Sequence, residues 1–150
     1  MHAAWGLLIC TEENYLNMNR LKVALLALTA SGLVVTAQDD TKFEEWMKSV
    51  DSSAKVLRKL EKKTGAETVE SAEKIGAAYE NMIGYWRQKN AADAVKLSEE
   101  GKAAAVELAS AAHAGDAEKA DAAFKKVGGT CRPCHDAHRE KLPDGKYKIK

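Results

Sequence analysis

Along the chain, apolar and small residues recur at spacings of three and four in four successive stretches, the pattern of helices that bury one face. The first runs from about Thr41 to Lys63 and puts Phe43, Met47, Val50, Ala54, Leu57 and Leu60 on one stripe, with Thr64-Gly65 ending it. The second runs from about Ala66 to Lys89 with Val69, Ala72, Ile75, Tyr79, Met82 and Trp86 inward, and Asn90 breaks its pattern. The third, about Ala91 to Ala114, is rich in alanine, with Val95, Leu97, Leu108 and Ala112 as its larger or inward members. Gly115-Asp116 then reads as a C′ glycine followed by an N-cap. A fourth stretch starts there, carries Ala120, Phe124, Val127, Cys131, Cys134 and His138 on one side, and fades at Leu142-Pro143-Asp144-Gly145. Four helices of about 23 residues joined by turns of a few residues run antiparallel to their neighbours. The expected fold is all-α, an antiparallel up-down-up-down four-helix bundle.

The first 37 residues read differently. From Met18 there is a short basic stretch (Arg20, Lys22), then the apolar run Val23 to Val35, then the small residues of Val35-Thr36-Ala37 before Gln38. This is the order of a secretory signal peptide. Cleavage is expected after Ala37, leaving residues 38–150 as one helical domain and residues 1–37 as an upstream extension plus leader. A membrane anchor is the competing reading, but an uninterrupted span needs about 20 apolar residues and this run is shorter. Glu12 and Glu13 suit no signal peptide, so Met18 is a better start than Met1. Cys10 lacks the small residue that precedes a lipidated cysteine.

Charge changes the picture little. The chain has 23 basic and 22 acidic residues, and no polybasic patch points to nucleic acid or an anionic membrane. Size matters more: the chain has 2 phenylalanines and an alanine-rich third helix, a thin set of side chains for a four-helix core. Either alanine packs closely enough to close it, or a large apolar cofactor fills it.

Cys131-Arg132-Pro133-Cys134-His135 points to such a cofactor, because C-x-x-C-H is the attachment signature of c-type haem. Two thiols about one helical turn apart add to the two vinyl groups on one side of the porphyrin, and the adjacent histidine reaches the iron. Two other chemistries use a C-x-x-C pair. A thioredoxin-type redox site belongs at the start of a helix that follows a strand, and no strand pattern precedes this one. A zinc site would need His138 or His113 as a further ligand, and the adjacent residues 134 and 135 rarely point at one small ion. The export signal favours haem, since thiol-to-vinyl attachment of this kind is made outside the bacterial cytoplasm.

With the motif close to the C-terminus on the last helix of a bundle, residues 38–150 resemble the class II c-type cytochromes: cytochrome c prime and its low-spin, methionine-ligated relatives. The resemblance implies one haem c held by Cys131 and Cys134, with His135 as an axial iron ligand, in a periplasmic protein. Members often follow the histidine with an aromatic residue and an arginine. Here His138 stands in the aromatic place and Arg139 is kept, which makes Arg139 a candidate haem neighbour or, equally, a solvated helix-end charge. Counting along antiparallel helices puts Met47 level with His135, and Met82 at a similar height. The stretch Phe43 to Asp51 also resembles the start of the soluble bacterial b-type cytochrome of this fold, where an early helix-one methionine ligates iron.

Met47 is therefore the expected sixth ligand, and the expected function is one-electron transport with transient redox partner proteins. If Met47 only packs, the iron is five-coordinate and binds NO or CO, as in cytochrome c prime. A haem peroxidase would want a distal histidine or arginine, and helix one offers only Arg58, so no enzyme is expected. Trp46 and Trp86 lie at or beside core stripes, where they either pack, line the haem pocket or face a dimer partner. The family resemblance allows a homodimer.

Overall fold

The computed structural model of the protein describes residues 40–150. The expected leader and cleavage point, and Cys10, lie outside the described residues. Four helices account for most of the described residues: α1 over residues 40–59, α2 over Ala66–Gln88, α3 over Ala92–His113 and α4 over Ala117–His138. Among the described residues no helix is long and apolar enough to cross a membrane.

The stripes fold as their spacing requires. Phe43, Val50, Ala54 and Leu57 of α1, Ala72, Ile75, Tyr79, Met82 and Trp86 of α2, and Ala120 and Val127 of α4 are all buried. In α3 the inward face is made of Ala94, Ala104, Ala105, Leu108 and Ala112, while Val95 and Leu97 are only half-buried. Small side chains let that helix approach its neighbours closely: the Cβ of an alanine at Gly76 of α2 would sit 3.8 Å from Ala105 Cβ of α3.

The turns use residues that tolerate left-handed backbone. Gly65, Asn90 and Gly115 all have positive φ at the three helix junctions. Asp116 is the N-cap of α4, its carboxylate accepting a 3.0 Å hydrogen bond from the Lys119 N–H. Pro133 lies inside α4, where it removes one backbone donor, yet the helix runs five residues further to His138.

Two boundaries differ from the sequence expectation. The first helix stops at residue 59, because Lys63 is drawn across to α4, where its ammonium pairs with Asp121 at 2.7 Å and lies 5.5 Å from the Phe124 ring centre. The fourth helix does not fade at Leu142-Pro143-Asp144-Gly145. It ends at His138, and the chain turns into an antiparallel hairpin of β1, Arg139–Lys141, and β2, Tyr147–Ile149. Arg139 pairs with Ile149 and Lys141 with Tyr147. The reason is local: Pro143 cannot continue a helix, Gly145 supplies a positive φ, and the Lys146 N–H donates to the Asp144 carboxylate at 3.0 Å.

Side-chain contacts fix the helix directions. Tyr85 near the end of α2 donates a 2.6 Å hydrogen bond to Asp40 at the start of α1, and its ring lies 4.5 Å from Phe43. Asp93 at the start of α3 meets His138 at the end of α4, 2.8 Å apart. One end of the bundle thus gathers the start of α1, the end of α2, the start of α3 and the end of α4. That alternation is the expected up-down-up-down order.

Candidate haem site

At this end the helices enclose a cavity of about 770 Å³, within the range of small-molecule and cofactor sites. The last turns of α4 supply Cys131, Cys134 and His135 to its wall. Facing elements supply Phe43 and Met47 from α1, and Tyr79, Met82 and Trp86 from α2. Arg139 lines it as well, so all five residues singled out by the sequence, Met47, Cys131, Cys134, His135 and Arg139, meet around one space.

The cysteines sit three apart on α4 and are both half-buried free thiols. The Cys131 thiol donates to the Val127 carbonyl at 3.6 Å. Burial pushes the Cys134 thiol up to about 11, with the charges of Asp93 and Cys131 acting the same way. At neutral pH it is a protonated thiol rather than an exposed redox thiolate. Burial, followed by the positive charge of Arg139, holds the His135 imidazole below its ordinary value, against a smaller opposing effect of Asp136. A neutral imidazole keeps a lone pair free for a metal.

Tyr79 forms the floor behind Cys131. Its hydroxyl lies 2.9 Å from Thr130 Oγ1, across the bundle diagonal. Since Thr130 Oγ1 already donates to the Val127 carbonyl at 2.9 Å, the tyrosine is the donor of the pair. Burial raises the phenol well above its usual range, so it stays protonated. Trp86 is 2 % exposed, and its indole N–H meets no hydrogen-bond acceptor among the described residues.

His138 ties this end together. Its Nε2 is bonded to Asp93 of α3, its ring centre lies 4.9 Å from that of Trp86 of α2, and its carbonyl accepts the Lys150 N–H at 3.0 Å. With Nε2 so engaged, His138 is a brace between helices. His113 lies at the last position of α3, at the far end of the bundle. Among the described residues no group of three or more histidine, cysteine or acidic side chains is arranged to hold a metal ion. The thioredoxin reading fails on position: the cysteines lie near the end of α4, which follows a turn, and among the described residues strands come only after it.

Sequence reasoning did not find the hairpin side of the site, where Tyr147 and Ile149 join the cavity wall. The signal was present only in Asp144-Gly145, a turn dipeptide. Trp86 lines the cavity, whereas Trp46 packs half-buried against Phe43, its ring centre 6.3 Å away.

A flat apolar cofactor fits this donor set. Two thiols and an imidazole stand together in one wall, apolar and aromatic groups stand opposite, and a buried indole N–H is left without a partner. A solved cytochrome c′ reported for an unusual ligand-controlled dimer dissociation shares the fold, with a TM-score of 0.55 over 75 % of this chain and 95 % of that one, at 22 % identity. The cytochrome c′ of Alcaligenes xylosoxydans xylosoxydans is 56 % identical over 36 residues, which span 24 % of this chain and 28 % of that protein's length. The family model described as cytochrome C′ matches residues 27–139, a span that takes in all four helices and the Cys131–His135 motif, and the chain therefore belongs to the cytochrome c′ family, whose members bind haem c.

Proposed function

We propose that this mono-haem c-type cytochrome carries its haem on the Cys131 and Cys134 sulfurs, with His135 as the proximal iron ligand and an open distal position that binds NO or CO. Bound haem supplies an iron that takes up diatomic ligands and changes redox state. The residues do the rest. Cys131 and Cys134 fix the macrocycle to α4, His135 offers a neutral nitrogen, and Phe43, Met47, Met82 and Trp86 keep water from the other face.

Membership of the cytochrome c′ family carries this reading, and it favours gas binding over the electron-carrier role that Met47 suggests in the sequence. The carrier reading keeps one observation in its favour: Met47 and Met82 both line the cavity, so either thioether is at hand. Neither role needs catalytic acid–base groups, and we assign no enzymatic activity. In this reading the protein is exported to the periplasm, its leader removed after Ala37. It also forms a homodimer whose association responds to the bound gas.

One set of measurements tests it. The mass of protein exported by a host with c-type maturation machinery should equal residues 38–150 plus one haem, and the colour should stay with the polypeptide in acidic organic solvent. The ferric form should be high-spin, and the ferrous form should bind CO at once. A low-spin ferric spectrum with a far-red sulfur-to-iron band, abolished by Met47→Ala, would establish the carrier instead. His135→Ala should change the spin state while the haem stays attached. Gel filtration with and without CO checks the dimer.

A further inference from the structure

The C-terminal hairpin starts at residue 139, where the family match stops, yet it is built into the cavity wall. The geometry points to the inner face of this hairpin, Tyr147 and Ile149, as a haem-contacting wall that sets how much of the macrocycle meets water.

In a two-stranded ribbon, residues paired across the strands share a face, and so do residues two apart. The pairing of Arg139 with Ile149 therefore places Arg139, Tyr147 and Ile149 on one face and Glu140 and Lys148 on the other, with Lys146 and Lys148 also lining the cavity at its hairpin side. Ile149 packs against the hydrophobic core, so the first face is the one turned to the bundle. Tyr147 is 53 % exposed, one of two large hydrophobic side chains so open among the described residues, and it lines the cavity. Its ring is not loose: the Arg139 guanidinium stacks 4.1 Å from its centre.

Anchors hold the hairpin at this place. The Lys150 N–H donates to the His138 carbonyl at 3.0 Å, and the Lys150 ammonium donates to the Asp136 carbonyl at 3.0 Å. His138 is itself fixed to α3 and α2 through Asp93 and Trp86. An apolar ring and an aliphatic side chain presented to a cofactor cavity, beside the helix that carries the attachment motif, are what a flat aromatic ligand buries against. Solvent exposure of a haem tunes its potential and ligand access, so this wall governs both.

The inference rests on the cavity being the haem site, and the test separates the two. In exported, haem-loaded protein, the Tyr147→Ser/Ile149→Ser variant is compared with wild type and with the conservative Tyr147→Phe/Ile149→Val pair. Three quantities are read: intact mass, the shift of the Soret band when ethylene glycol is added, and amide hydrogen exchange over residues 139–150. The serine pair should keep one haem by mass, show a Soret shift about twofold larger, and exchange its hairpin amides about tenfold faster, while the conservative pair behaves as wild type. Faster exchange with an unchanged Soret shift overturns the wall and leaves a merely structural hairpin. Unchanged exchange and unchanged shift overturn it too. Wild-type protein without one haem in its mass overturns the haem reading itself.

Discussion

The two ends of the bundle are built from the same four helices and differ in what fills them. At the far end Leu57, Leu108, Ala112, Ala120 and Ala123 are all buried, and the Gly65 N–H reaches across to the Ala112 carbonyl at 3.1 Å. Lys63 seals the edge through Asp121. At the near end the inward residues are large: Phe43, whose ring meets that of Trp86 edge-on at 5.1 Å, together with Met47 and Met82, walls a cavity of about 770 Å³. Methyl-sized groups let helices touch, whereas rings and thioethers hold them open. The question raised by the thin composition thus has two answers. Alanine suffices at one end, and at the other the walls fit a cofactor.

The sharpest way to break this contrast is to remove bulk from each end. Leu57→Ala, at a fully buried position of the closed end, should cost about 2–5 kcal/mol in urea unfolding of the haem-loaded protein. Met47→Ala, half-buried on the cavity wall, should cost less than half of that while changing the visible spectrum. Equal losses at the two positions would mean that the ends are packed alike.

Next in size comes the border between the ends, where Gly101 of α3 faces Tyr79. A Cβ at residue 101 would lie 2.5 Å from Tyr79 Cζ, too close for any real contact, and the ring is held from behind by its bond to Thr130. Gly101→Ala should destabilise by about 1–3 kcal/mol and displace the Soret band, since the ring can yield only toward the cavity it lines. A destabilised protein with an unshifted Soret band would place the relaxation elsewhere. Tyr79→Phe removes only the donor to Thr130, which keeps its bond to the Val127 carbonyl. The expected loss is about 1 kcal/mol, read by the same unfolding experiment.

The smallest effect concerns the brace at the open end. The hydrogen bond from His138 holds the Asp93 carboxyl below the usual carboxylate range, against a smaller opposing effect of burial. A carboxylate whose folded pKa is lowered contributes stability above its unfolded value, about pH 3.9, and loses it as the pH falls through the folded value. Asp93→Asn should therefore unfold at lower urea than wild type at pH 6, and the gap should close by pH 2. A gap that persists at pH 2 would assign the loss to packing instead of charge.

How much was legible follows from the range of the interactions involved. The helix stripes, the glycine at residue 115 and the Asp116 cap were readable because each depends on neighbours within one or two turns. The C-x-x-C-H motif was readable for the same reason, since its two thiols and histidine need only one turn of helix to come together. The hairpin was missed although Asp144-Gly145 marks its turn. Its strands hold three residues each and carry charges at Arg139, Glu140, Lys141 and Lys148, which hides any alternation of apolar and polar positions.

The sequence by itself determined the four helices, their alternating directions and the placing of Cys131, Cys134 and His135 on the last of them, since local periodicity and short turns leave little choice. Only the tertiary structure decided how much space the end that holds the motif leaves, because that depends on side-chain volumes summed over four helices. It also decided that Tyr79 reaches Thr130 across the diagonal and that His138 braces Asp93 and Trp86. Residues 45 or more positions apart meet in those contacts, and a helical stripe states that a side chain faces inward without naming what it meets there.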